Sequence, residues 1–167
     1  VQTKMDERGV KVTIDVKQGV LRIPESVLFA QGDADVKAEG QQEVFVLSQV
    51  LYEVLSEADY RDSVETIFIE GHTDDVPIEN DRFHSNWELS TQRAINTWNL
   101  MRLDQPGLDY LANPNGQPLF SCSGYAETRP ITDDAYDESS EEGRQANRRI
   151  DIRFAMMPPS DSSKIDN

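Results

Sequence analysis

A single cysteine, Cys122, occurs in 167 residues. One thiol excludes an internal disulfide and a zinc site built from four cysteines, and such low usage fits either the cytoplasm or a bacterial envelope. No run of about twenty apolar residues exists, so no segment is suited to span a bilayer as a helix. Positive charge is also scarce: 16 Lys and Arg face 31 Asp and Glu, leaving a net charge of −15. That balance argues against nucleic acid, whose phosphates need a basic footprint, and against docking on an anionic membrane surface. It tolerates a small ligand carrying an ammonium group, or a neutral polymer. A Gly-rich phosphate loop and a nucleophile elbow are missing too, since Gly71 is isolated and Ser123-Gly124 lacks the flanking glycine pattern. No signal peptide is evident and the chain opens at Val1 without Met, which reads as a fragment of a longer protein, its anchor removed with the missing part.

The length suits one domain with a real core, and 37% hydrophobic content points to long polar loops or frayed ends. Residues 1–9 are polar and read as a flexible segment, 10–156 as the domain, and 157–167 as a tail. Val10, Val12, Ile14 and Val16 alternate with polar residues as in a strand buried on one face, and Gln18-Gly19 turns into a partner strand over Val20–Ile23, stopped by Pro24. Glu25–Glu39 reads as a polar loop anchored by Phe29 and Val36. Val44, Leu47, Leu51, Val54 and Ala58 step by four and three, predicting a helix from Gly40 to Ala58. Asp104–Pro118 is rich in turn formers and reads as a surface excursion; Leu119–Cys122 is a short strand. The acidic run Asp133–Glu142 reads as solvated loop. Ile150, Ile152 and Phe154 alternate with Asp151 and Arg153 in a closing strand. The order hairpin, helix, strand, helix, strand, loop, strand predicts an α/β fold: a mixed sheet with helices packed on one face.

Polar chemistry concentrates between Ile67 and Ala94. The apolar run Val64–Ile69 ends at Glu70-Gly71, and a loop dense in His, Asp, Asn and Pro follows. A second helix then starts at Ser85, three residues before Glu88, the spacing of a capping box. Trp87, Ala94, Ile95, Trp98 and Met101 mark its apolar stripe. Asn86, Leu89 and Arg93 descend an adjacent face, placing Arg93 at the edge of the buried surface, where its guanidinium can form a fork for a carboxylate. A structural salt bridge from Arg93 to Asp74 is the plain alternative. Asp74 and Asp75 suit turn formation as well as a cationic partner. Asn147-Arg148-Arg149 read as surface cations or, with Asn147 and Arg148 beside Arg93, as part of one pocket. His72 and His84 fit no metal-ligand spacing, and no metal or cofactor is expected.

Four blocks, GHTD at 71–74, NWELSTQRA at 86–94, GYAETRP at 124–130 and NRRIDIRF at 147–154, resemble the OmpA-like peptidoglycan-binding domain, and in detail the periplasmic domain of MotB-type stator proteins. LFAQGDADVKAEG extends the likeness to roughly residues 10–155. The resemblance implies an OmpA-like two-layer sandwich that binds peptidoglycan stem peptides at diaminopimelate. Carried over by position, Asp74 meets the ligand's ammonium group and Arg93 its carboxylate; Asn86 and Leu89 line the pocket, and Asn147 and Arg148 close it. Two departures stand out: Pro77 replaces a glycine common in the broad family, and Ala126 replaces the second glycine of a G-x-G motif.

The expected function is therefore a non-catalytic anchor to the cell wall, in the periplasm, within a membrane-anchored parent that a homodimer would suit. The alternatives are an amidase or peptidase built on His72, Asp74 and His84, and a protein-binding module using the acidic loop. With Arg93 read as an edge group, Arg93→Ala should abolish wall binding and leave the fold largely intact.

Overall fold

The computed structural model describes residues 7–9, 12–131, 137 and 139–158. In chain order the elements are β1 (Thr13–Asp15), β2 (Val20–Pro24), α1 (Glu25–Leu28), α2 (Ala38–Leu55), α3 (Ala58–Arg61), β3 (Val64–His72), α4 (Asn86–Asp104), a 3-10 helix (Pro106–Tyr110), β4 (Phe120–Gly124), α5 (Glu141–Asn147) and β5 (Arg149–Met156). The five strands form one sheet in the order β1-β2-β5-β3-β4. Every pairing is antiparallel except β3 with β4, which is parallel. The last strand thus lies in the middle of the sheet.

Alternation decides what each sheet face carries. Leu21, Ile23, Ile67, Ile69, Ile150 and Ile152 point to one face, where they share a core with Val44, Leu47, Leu51 and Leu55 of α2 and Ala94 and Met101 of α4. The two long helices pack on that side as the hydrophobic periodicity requires. Gly71 and Gly124 are register partners at the ends of β3 and β4. A Cβ on Gly71 would lie 2.0 Å from the Ser90 carbonyl oxygen, and one on Gly124 2.2 Å from Thr91 Oγ1. Both glycines are needed because α4 crosses these strand ends in direct backbone contact.

Several expectations change in detail. The β1 strand covers only Thr13–Asp15; Val16 lies in the turn, 80% exposed, and Val10 falls outside the described residues. Glu25–Glu39 is no continuous loop: α1 opens it, Phe29 bridges to Val36, and α2 starts at Ala38 and ends at Leu55. The α4 stripe is also different, because Trp87 and Ile95 are exposed while Asn86, Ser90, Arg93 and Thr97 are buried. Polar residues take inward positions there because each has a partner: Ser90 Oγ accepts from the Ala126 N–H at 3.0 Å, and Thr97 Oγ1 donates to the Arg93 carbonyl at 2.8 Å. Half of the capping box forms as expected, the Glu88 N–H donating to Ser85 Oγ, while the return bond shifts by one residue and Glu88 Oε2 accepts from the His84 N–H.

The 104–118 segment is docked rather than a free excursion. Leu108 and Leu111 are buried, and Asn113 donates to the Glu65 carbonyl at 2.9 Å. Of the acidic run, 133–136 and 138 lie outside the described residues, while its end, from Glu141, forms the first turn of α5. Ser140 caps that helix through the Gly143 N–H at 3.0 Å.

Candidate functional site

A cavity of about 480 Å³ opens where β2 hands over to α1 and β3 to α4, with α5 along its side. Asp74, two residues past β3, divides its carboxylate between two tasks. Oδ1 accepts from the Val76 N–H at 3.0 Å, an Asx turn, and Oδ2 accepts from Arg148 Nη1 at 2.6 Å. Turn former and cation partner are therefore both correct descriptions, one oxygen each. Asp75 faces outward and pairs with Arg144 Nε at 2.9 Å, and that hydrogen bond holds its carboxyl below the ordinary value.

The α4 residues enter the cavity from its first two turns. Asn86 donates through Nδ2 to the Val76 carbonyl at 3.1 Å and to Glu127 Oε2 at 3.2 Å, fixing the β3–α4 loop. Leu89 supplies an apolar wall and belongs to a small cluster with Ala34 and Phe83. Arg93 does not emerge at an edge: it is 2% exposed. Its Nε donates to the Asp33 carbonyl at 2.7 Å and Nη2 to the Ala30 carbonyl at 3.3 Å, with the guanidinium 4.9 Å from the centre of the Phe29 ring. Its ion-pair partner is Glu25, not Asp74.

Arg148 joins three carboxylates: Glu25 Oε2 at 3.0 Å from Nε, Asp74 Oδ2, and Glu141 Oε1 at 2.9 Å from Nη2. Burial alone would lower the Arg148 pKa, but Asp74 and Glu141 outweigh it and hold the group above its usual value. Asn147 does not line the cavity; its Oδ1 accepts from the Ile131 N–H at 2.7 Å and ties down the segment after β4. Thus Asp74, Asn86, Leu89, Arg93 and Arg148 come together, and Asn147 stands behind them. Glu25, Glu141 and Arg144 are lining residues that sequence reasoning missed. The available signal was Pro24-Glu25 directly after a strand, a proline with an acidic residue in the first turn of a helix.

The other sheet face bears an ion network. Register places Arg22, Asp151 and Glu70 in one row and Arg149 beside His72 in the next. Arg22 Nε and Arg149 Nε donate to the two oxygens of Asp151 at 2.9 and 3.0 Å, and Arg153 donates to Glu70 at 2.6 and 2.9 Å. Arg149, expected at the surface, is buried because Arg129 gives it a carbonyl at 3.0 Å from above. His72 is also buried there, under the stacked Tyr125 ring, with Nε2 3.7 Å from both Glu70 and Asp151, beyond hydrogen-bond reach. Burial pushes the His72 pKa down against the pull of Glu70, and Arg149 lowers it further. Burial would raise the Glu70 pKa, but His72 and Arg153 hold it below the ordinary value.

His72, Asp74 and His84 are not assembled for catalysis. His72 belongs to this second face and Asp74 to the first cavity, while His84 lines neither. Among the described residues, no group of three or more His, Cys, Asp and Glu side chains could hold a metal ion. Burial raises the Cys122 thiol to about 11, so it stays protonated and a poor nucleophile. Ala126, expected where the family motif has glycine, takes a left-handed backbone with φ at 49°, held by its N–H and carbonyl, which are committed to Ser90 and to the Thr73 N–H.

Against known proteins, the sequence matches the OmpA family over residues 28–144. Motility protein B of Bacillus subtilis (strain 168) is 32% identical over 152 residues, which is 91% of this chain and 47% of that protein. The chain spans about half the length of the curated relatives it matches. Among solved structures, the cell wall anchor of the T6SS from Pseudomonas aeruginosa aligns with a TM-score of 0.65 at 28% identity, covering 92% of this chain and 93% of the other. The periplasmic domain of Helicobacter pylori MotB aligns with a TM-score of 0.65 at 26% identity, covering 90% and 84%.

Proposed function

The chain belongs to the OmpA family, and from that premise we propose that it holds its parent protein to the cell wall by binding peptidoglycan stem peptides without catalysis. The observation that carries the proposal is the wall of the first cavity, where buried Arg93 and half-buried Arg148 stand beside the carboxylates of Asp74 and Glu25. Opposite charges at fixed separation suit a ligand with an ammonium and a carboxylate on one carbon, the chemistry of diaminopimelate. In this reading Asp74 takes the ammonium, Arg93 and Arg148 the carboxylate, and Asn86 and Leu89 shape the walls. Asn147 supports Arg148 from the adjoining position.

A wall-anchoring role is supported by the likeness to an anchor of one secretion machine and to a motility protein. The domain then works in the periplasm, as part of a membrane-anchored and homodimeric parent protein. A neutral, polyhydroxylated polymer bearing such peptides is also compatible with a net charge of −15, which would repel an anionic one.

Calorimetric titration at one ionic strength tests the reading. A stem peptide with free diaminopimelate should bind. Lysine in its place, or amidation of the distal carboxylate, removes a charge-assisted hydrogen bond worth about 1.5–3 kcal/mol, roughly a ten- to hundredfold loss of affinity. Equal affinities for the three peptides would refute recognition of both charges. Co-sedimentation with purified sacculi, with released fragments measured, separates anchoring from hydrolysis.

A further inference from the structure

Glu25 lies between two arginines of its own chain. It opens α1, and its N–H donates to the Arg148 carbonyl at 2.9 Å, so backbone and side chain are held together. One carboxylate oxygen lies against Arg93 Nη2 and the other is 3.0 Å from Arg148 Nε, with the side chain only 11% exposed. Asp74 takes a further Arg148 nitrogen. Glu141 takes another, so two guanidinium groups face three carboxylates in the cavity wall, and of these only Glu25 touches both arginines.

We infer that Glu25 is a specificity-determining residue: its carboxylate competes with a ligand carboxylate for Arg93 and Arg148, so the cavity accepts an α-amino acid head group and rejects a bare carboxylate. This rests on the reading proposed above and adds to it a residue and a selection rule. A bare carboxylate that displaces Glu25 leaves a buried anion without a cation, which is costly. A bare amine that claims Glu25 leaves the buried Arg93 without its carboxylate, and one that claims Asp74 takes a partner from Arg148 and supplies none. A zwitterion brings a new partner for each charge that it separates, so only it exchanges both halves together.

The test compares wild type and Glu25→Gln in titrations with two stem peptides: one with diaminopimelate, and one with 2-aminopimelate, which keeps the distal carboxylate and lacks the distal ammonium. Wild type should favour the diaminopimelate peptide at least tenfold. Glu25→Gln should bind the 2-aminopimelate peptide roughly tenfold more tightly than wild type does, since the internal competitor has lost its charge. Equal or weaker binding of that peptide by the variant means that Glu25 only positions the arginines, and overturns the inference while wild-type binding of diaminopimelate keeps the anchoring reading. No wild-type binding of the diaminopimelate peptide sinks both. A second measurement needs no variant: the assigned Glu25 side-chain carboxyl carbon resonance of the wild type should move during titration with the diaminopimelate peptide. A resonance that stays fixed at saturation overturns the inference even if Glu25→Gln does not fold.

Discussion

Replacing Arg93 by alanine should cost this domain stability as well as its ligand. The guanidinium holds Glu25 of α1 and two carbonyls of the 30–33 segment, so its removal leaves the buried Glu25 carboxylate with Arg148 alone and frees a loop. Breaking a buried ion pair by deleting one member typically costs about 3–5 kcal/mol, a large share of the roughly 5–15 kcal/mol that stabilises a domain. At about 2–4 °C per kcal/mol for a chain of this size, the melting temperature should fall by roughly 6–20 °C. Arg93→Lys keeps the charge but cannot reach all three acceptors, so it should lie between. Circular dichroism melts give the stability, and sacculus pelleting well below the lowered melting temperature gives binding by the folded fraction. A melting temperature within about 2 °C of wild type for Arg93→Ala would refute the structural role and restore the edge position expected from helical spacing.

Gly71→Ala should destabilise by about 1–3 kcal/mol or more, since the new methyl meets the Ser90 carbonyl backbone at 2.0 Å; an unchanged urea midpoint would contradict the close crossing of α4 over β3. Stability should also decline on mild acidification. The folded pKa of His72 is lowered below its ordinary 6.5, so between the two values the unfolded chain binds more protons, and acid favours unfolding as pH falls through 6.5. Glu70, lowered below 4.5, adds a loss that sets in only as pH falls below its unfolded value. Urea denaturation from pH 7.5 to 5 should show the first slope in wild type and a flatter one in His72→Gln; equal slopes would assign it elsewhere.

Periodicity made the scaffold legible: the alternation of Ile150, Ile152 and Phe154 and the spacing of Val44, Leu47 and Leu51 each report one apolar face. Helical spacing placed Asn86, Leu89 and Arg93 on one face, and all three line the cavity. It misjudged the depth of Arg93, because an arginine is readable as buried only when its acceptors are known, and these come from residues 25–33, about sixty positions earlier. Glu25 was hidden for the same reason. The ion network around His72 escaped notice because Arg149, Asp151 and Arg153 look like the solvent-facing half of a strand until Glu70, His72 and the 125–131 segment are set beside them.

The central place of β5 has a kinetic side. Val20 pairs with Arg153 and Leu21 with Ile152, across more than 130 positions of chain, and β5 alone joins β2 to β3. Before it docks, β1 and β2 form a lone hairpin, too small to be independently stable, and the flank of β3 facing β5 exposes unpaired backbone groups. Closure of so long a loop must precede the contacts that reward it, which makes folding slow for the domain's size. A chain delivered from its N-terminus therefore stays open until the very end of the domain has emerged. During that interval the surfaces awaiting β5 are those most exposed to aggregation, and to capture by a chaperone.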